Sequence, residues 1–102
     1  MNIKVYLLFL LILSHAFGGN LDEANHAYES KDFPKALALY KAACKDKNGE
    51  ACCKAAKMYD IGLGTSMDED MALRYFKQAC KLRYEKGCDE IEARDENNKV
   101  GC

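Results

Sequence analysis

The 102-residue sequence has little proline and no excess of charge of either sign. One proline, seven glycines and 30% charged residues argue against a disordered chain and against the fibrous classes. The formal net charge is −1, which gives no reason to expect a nucleic-acid binder, because such proteins bind by neutralising phosphates. The length excludes a barrel or a doubly wound sheet and leaves room for about one small domain.

The sequence has one long apolar run, and this run lies at the N-terminus. Lys4 precedes the unbroken apolar segment 5–13, and small residues two positions apart end at Ala16. A nine-residue helix would be about 14 Å long, which is too short for the roughly 30 Å core of a bilayer, so an uncleaved anchor is the weaker alternative. The segment predicts a signal peptide over 1–18, cleaved near Ala16 or Gly18. We therefore expect a secreted or periplasmic protein with no stable membrane insertion after cleavage.

The cysteines are the most informative residues of the chain. In an exported chain of this size, an even set of cysteines indicates a disulfide framework. No Cys-x-x-Cys motif is present, which argues against redox catalysis, and the spacing does not suit zinc. His26 is the one histidine beyond the leader and is expected at the surface or in the packing of a hairpin, so we expect no metal and no other cofactor. The six cysteines are Cys44, Cys52, Cys53, Cys80, Cys88 and Cys102.

The chain repeats itself at an offset of 36 residues. Segment 35–44 aligns with segment 71–80, and five of the ten positions are identical. Cys44 and Cys52 fall on the cysteines 36 positions later, so the offset preserves both members of a pair. Repeats of this length are typical of helical hairpins that stack into a solenoid.

The apolar residues recur with helical spacing and predict five helices. Caps at Asn20, Asp32 and Ser66 would start three of them, and Pro34 suits the first turn of the second. A shorter fifth helix is expected over 86–94. No segment alternates as a strand does, so the fold class is all-α. The predicted inner faces are Leu21, Ala24 and Tyr28; Ala36, Leu37, Tyr40, Ala43 and Cys44; Ala51, Cys52, Ala55, Ala56 and Tyr59; Ala72, Tyr75, Phe76, Ala79 and Cys80.

Eight residues together resemble the Sel-like repeat, a relative of the tetratricopeptide repeat. The paired cysteines are similar to those of the Helicobacter cysteine-rich family of secreted bacterial proteins. The resemblance implies a short α-solenoid of about two repeats and a terminal helix over 19–96, followed by a polar tail over 97–102. It also implies disulfides that tie the second helix of one repeat to the first helix of the next. The signature residues are Tyr59, Gly62, Gly64, Asp68, Ala72, Tyr75, Ala79 and Gly87.

The spacing itself predicts two disulfides, Cys44–Cys52 and Cys80–Cys88. Residues that flank a tight turn between antiparallel helices can bring their Cα atoms within the roughly 4.4–6.8 Å that a disulfide needs. Cys53 points about 100° away from Cys52, and Asp89 takes its place in the other repeat. Cys53–Cys102 is therefore expected as the third bridge, which would fold the tail back over the third helix.

The resemblance implies two functions. Family members resemble scaffolds or secreted effectors, so the partner would be an unknown protein or peptide. Cysteine-rich members also carry names of penicillin-binding proteins or β-lactamases, which implies a β-lactam or peptidoglycan-like small molecule. A serine β-lactamase needs Lys three residues after its nucleophile, and neither Ser30 nor Ser66 meets this requirement. The motifs thus identify no catalytic residue and favour an interaction module, with a small secreted inhibitor as a further alternative.

The acidic segment 68–70 has two interpretations. Three consecutive carboxylates could suggest a cation site. Acidic side chains in the first turn of a helix also complement the helix dipole, and this explanation is the simpler one. We therefore expect Asp68, Glu69 and Asp70 to cap a helix.

Overall fold

The computed structural model describes residues 21–95 and 101–102. The predicted signal peptide, the cap at Asn20 and most of the polar tail lie outside the described residues. Within them the chain is helical and contains no strand, so the prediction of an all-α fold is confirmed. The helices are α1 (Leu21–Glu29), α2 (Phe33–Lys45), α3 (Gly49–Ile61), α4 (Glu69–Lys81) and α5 (Glu85–Asp95).

The helices form a short solenoid of hairpins. Each helix packs against the next one along the chain, and α3 also contacts α5. The first, third and fifth helices therefore form one layer, and α2 and α4 form the other. Within the described residues no helix is both long and apolar enough to cross a membrane.

The core combines small side chains with a few large ones. Alanines allow helices to approach closely, because the distance between helix axes depends on the side chains at the contact. Tyr40, Met58 and Phe76 fill the remaining space and are at most 2% exposed. The fully buried alanines are Ala24, Ala36, Ala43, Ala51, Ala55, Ala56, Ala72 and Ala79.

Two helix starts test the predicted caps. Asp32 caps α2 as predicted, and its carboxylate accepts a hydrogen bond from the backbone N–H of Lys35. The cap predicted at Ser66 is wrong, because α4 is capped by Asp68. The backbone N–H of Asp68 donates to the Tyr59 carbonyl at 2.9 Å, which holds the chain against the end of α3 for two residues longer than predicted.

One residue of the predicted inner faces lies outside. Tyr28 is 39% exposed, while its neighbour Ala27 takes the buried position on α1. The Tyr28 ring packs edge-on against Phe33 with centroids 5.3 Å apart, so the ring covers the start of α2. Tyr75 and Cys80, also assigned to an inner face, are half-buried.

Three tight turns between helices share one geometry. Lys31, Lys47 and Arg83 have positive φ angles of 63°, 68° and 65°. In each turn the next residue donates its N–H to a carbonyl five positions earlier, as from Asp32 to Ala27. This is the Schellman arrangement, in which a left-handed residue ends the helix and satisfies its last carbonyls.

The longer linker between α3 and α4 depends on two glycines. Gly62 ends α3 in the left-handed conformation (φ 72°). Gly64 also has a positive φ of 74°, and it lies directly against the backbone at the start of α2. A Cβ atom on Gly64 would lie 2.6 Å from the carbonyl carbon and oxygen of Phe33. Gly62 is therefore required for its left-handed backbone. Gly64 is required for its left-handed backbone and also for its close approach to α2.

Candidate functional site

The disulfides fix the frame on which the candidate site is built. Two bridges cross the turns between hairpins, with Cα–Cα distances of 4.5 Å for Cys44–Cys52 and 4.7 Å for Cys80–Cys88. The third bridge, Cys53–Cys102, spans 49 residues and holds the end of the chain against α3. A closed loop as short as the first two contributes about 2–3 kcal/mol in the chain-entropy model.

A groove of about 300 Å³ lies between the first and third helices, and we call it the α1–α3 groove. Side chains from α1 and α3 form its walls. Tyr40 of α2 reaches it from the second layer, and the third disulfide contributes Cys102. The lining residues are Asn25, Tyr28, Glu29, Tyr40, Lys54, Lys57, Met58, Ile61 and Cys102.

Asn25 is the polar centre of the α1–α3 groove. Its Oδ1 atom accepts hydrogen bonds from the Tyr40 hydroxyl at 2.6 Å and from Lys54 Nζ at 3.0 Å. Lys54 also pairs with Glu50 at 3.6 Å and lies 5.8 Å from the centroid of the Tyr40 ring. These contacts join three helices and hold the polar side chains of the groove in place.

Apolar surface lies beside this polar centre. Tyr28 is 39% exposed and Ile61 is 47% exposed, and both line the α1–α3 groove. Met67 is exposed to 66%, but it lies in the linker before α4. A concave surface that combines exposed apolar side chains with a few fixed polar groups is typical of a binding site.

Burial of Tyr40 makes stability depend on pH at the alkaline end. Burial raises the pKa of Tyr40 to about 12, compared with about 10 in an unfolded chain. The folded state therefore holds the phenol proton more tightly. The resulting stabilisation is complete below about pH 10 and is lost as the pH rises from about 10 to about 12.

Between about pH 10 and pH 12, we expect the free energy of unfolding to fall less for the Tyr40→Phe variant than for the wild type. Burial also raises the pKa values of Tyr75 and Tyr84, so the decline becomes shallower but does not vanish. Urea unfolding of both proteins at several pH values from about 9 to 12 measures the difference. If the free energy of unfolding depends on pH with the same slope in both proteins, Tyr40 does not contribute to the pH dependence.

Two ion pairs join α3 to α5. Arg94 Nη2 lies 2.7 Å from Asp60 Oδ1, and Asp60 is only 3% exposed. Lys57 Nζ lies 3.6 Å from Glu90 Oε1, and Glu90 is 1% exposed. Neither pair can be predicted from the sequence, because partners more than 30 positions apart leave no local signal.

A comparison with known proteins identifies one curated relative, HcpE of Helicobacter pylori strain J99, which is provisionally named as a beta-lactamase. The two sequences are 35% identical over an alignment of 78 residues, and the match covers 67% of this chain. The chain is a Sel-like repeat protein that resembles the Helicobacter cysteine-rich family. It spans 22% of the length of the curated relative. No family model and no solved structure matches the chain.

The Sel-like signature residues lie at helix contacts and in the linker. Tyr59 and Tyr75 stack with ring centroids 5.6 Å apart, which joins α3 to α4. Gly87 lies where α5 approaches α4, and a Cβ there would be 2.6 Å from the Cβ of Ala79. Ala72 is buried in α4, and the remaining signature residues, Gly62, Gly64 and Asp68, lie in the linker and at the start of α4. None of them lines the α1–α3 groove.

The other residues singled out in this Sel-like repeat chain lie apart from one another. His26 is exposed on α1, Ser30 lies in the turn after α1, and Ser66 is exposed in the linker before α4. The segment 68–70 is exposed at the start of α4, where the Asp68 carboxylate accepts a hydrogen bond from the N–H of Met71. In the part of the chain that the structure describes, no three His, Cys, Asp or Glu residues lie close enough together to hold a metal ion.

Proposed function

We propose that the protein is an exported, disulfide-stabilised interaction module that binds an apolar segment of a partner protein in the α1–α3 groove. The observation that carries this proposal is the exposure of Tyr28 and Ile61 beside the polar centre at Asn25. Export is supported by the predicted signal peptide over 1–18 and by the pairing of all six cysteines, since disulfides persist in oxidising compartments. In this proposal the binding unit is 19–96, with 97–102 as its tail.

The dimensions of the groove limit what it can bind. Its volume of about 300 Å³ lies at the lower end of the range for ligand pockets. This space suits one or two side chains of a peptide, while Asn25 and Lys54 offer polar groups to the peptide backbone. A partner anchored by an apolar side chain fits this arrangement.

A matched pair of variants tests the groove. Ile61→Asp places a charge at its apolar edge, whereas Met67→Asp places the same charge on an exposed apolar residue outside it. The disulfide-intact chain is immobilised and used to capture partners from the extracytoplasmic fraction of the cells that produce it. The affinity of each captured protein for the two variants is then measured. We expect Ile61→Asp to weaken binding at least about ten-fold and Met67→Asp to leave it within about two-fold. Equal affinities for the two variants would refute the α1–α3 groove as the binding site.

Export has its own test. Intact-mass spectrometry of the protein recovered outside the cytoplasm is expected to show a chain that begins after Ala16 or Gly18. The same spectrum should show the loss of two hydrogens for each disulfide. Retention of Met1 in the exported protein would contradict the predicted cleavage.

β-Lactam binding or hydrolysis is the second candidate function, and the name of HcpE favours it. Ser30 and Ser66 lie in different connections of the chain, and neither is followed by the lysine that a serine β-lactamase uses. We therefore expect no turnover of a chromogenic cephalosporin by the purified, oxidised protein. Turnover that falls in Ser30→Ala or Ser66→Ala would instead establish the enzymatic function.

A further inference from the structure

The second layer of helices carries a groove of its own, between α2 and α4. One hollow of about 440 Å³ lies between these helices, and another of about 280 Å³ continues it along α4. The two hollows share Tyr75 and Gln78, so they form one continuous surface, which we call the α2–α4 groove. Its polar and large side chains are Lys41, Lys45, Met71, Arg74, Tyr75 and Gln78.

The charges along this groove have one sign. Every charged residue of α2 is a lysine, and α4 carries only cations after Asp70. The lining therefore contains three cations and no carboxylate. The nearest acidic residues in sequence are Asp46, beyond the last turn of α2, and the segment 68–70 at the start of α4. The net charge of −1 for the whole chain conceals this basic surface.

One cation of the groove is held in place. Lys41 Nζ lies 5.9 Å from the centroid of the Tyr59 ring, which stacks on Tyr75 beneath it. A hydrogen bond to Tyr59 raises the pKa of Lys41, so the ammonium group stays charged well above neutral pH. A positioned cation costs less entropy on binding than a freely moving one.

We propose that the α2–α4 groove binds an extended acidic peptide segment. The larger hollow is lined by α2 and by α4, and the smaller one extends it along α4, so the surface is elongated and suits an extended chain better than a flat bilayer. Lys41, Lys45 and Arg74 can pair with carboxylates, and the Gln78 amide can hydrogen-bond the peptide backbone. This surface lies in the other helix layer from the α1–α3 groove and does not depend on it.

Two triple variants of equal charge test this proposal. The groove variant loses the three cations of the groove and carries Lys41→Gln, Lys45→Gln and Arg74→Gln. The control variant loses three exposed cations that do not line the groove and carries Lys31→Gln, Lys77→Gln and Lys86→Gln. The probe is a fluorescein-labelled twelve-residue peptide of alternating Glu and Ser, titrated by fluorescence anisotropy at about 50 mM salt. We expect the groove variant to bind at least about ten-fold more weakly and the control to stay within about two-fold of the wild type.

Other results would overturn the proposal. Equal weakening in both triple variants would mean that the peptide responds only to net charge. A second contrary result is that the wild type binds phosphatidylglycerol vesicles and not the peptide, with vesicle binding lost when Lys41, Lys45 and Arg74 are replaced. That result would assign the surface to a membrane. If the wild type self-associates and the peptide does not displace the second copy, the α2–α4 groove is an interface between copies of this chain. Because Lys41 contacts Tyr59, the double variant Lys45→Gln/Arg74→Gln repeats the test if the triple variant is unfolded by circular dichroism.

Discussion

Replacing Gly64 with alanine is expected to lower the free energy of unfolding by about 3 kcal/mol or more. The positive φ of 74° costs an L-residue about 1–2 kcal/mol, and the added methyl group would lie 2.6 Å from the backbone of Phe33. The start of α2 must then move, at a further cost typical of overpacking, about 1–3 kcal/mol. Urea unfolding of the oxidised protein measures the loss.

Two other glycines provide matched controls. Gly62 has nearly the same φ of 72°, but a Cβ there would meet its nearest atom, the Met67 nitrogen, at 3.2 Å. Gly62→Ala should therefore show mainly the conformational cost, about 1–2 kcal/mol. Gly101→Ala meets nothing within 4 Å and should change little. If Gly64→Ala costs no more than Gly62→Ala, the close approach to α2 does not stabilise the linker.

Replacing Arg94 with methionine is expected to lower the free energy of unfolding by about 3 kcal/mol. The change removes the guanidinium group that lies 2.7 Å from the buried Asp60 carboxylate. Breaking a buried ion pair from one side costs about 3–5 kcal/mol, because the remaining charge loses a close counter-charge in a site of low polarity. Methionine retains apolar contact with the Phe76 ring, which lies 5.3 Å from the guanidinium carbon of Arg94.

A double-mutant cycle separates the ion pair from the packing. Asp60→Asn in the Arg94→Met background removes the buried charge, so the double variant should be more stable than Arg94→Met alone. Chemical unfolding of the four proteins gives the coupling energy between the two side chains. Strictly additive losses would mean that Arg94 acts through its contact with Phe76.

The local features of the fold could be predicted from the sequence. Asp32 followed by Pro34 favours the start of a helix, because the carboxylate accepts an orphan N–H and proline needs no donor in the first turn. The spacing of Cys44 and Cys52 across a tight turn limits them to a short distance, whatever the rest of the chain does. Features of this kind depend on fewer than ten consecutive residues.

Choices between neighbouring residues were harder to predict. Ala27 and Tyr28 are adjacent on α1, and helical periodicity alone did not decide which of them is buried. The structure buries the smaller residue, with Ala27 5% exposed and Tyr28 39% exposed. Ser66 and Asp68 are both good caps, and the contact between Asp68 and the Tyr59 carbonyl selects the later one.

The candidate site itself could not be predicted, because its contacts join distant parts of the chain. Asn25 meets Lys54 across 29 positions and Tyr40 across 15. Ile61 is an apolar residue at the end of a helix, and nothing in the neighbouring sequence predicts that its side chain is exposed. Only the packing of α1 beside α3 brings these residues to one groove.

The bridged turns also determine what a protease could do to this protein. Lys45, Lys47, Lys81 and Arg83 are exposed, and each lies inside one of the two short disulfide loops. A cut by a trypsin-like enzyme at any of them would break the backbone, but the two ends would stay joined through sulfur. The nicked protein would keep its mass, apart from one added water, until a reductant separates the fragments. Cleavage confined to these two turns would therefore separate the chain into fragments only where a reductant is also present.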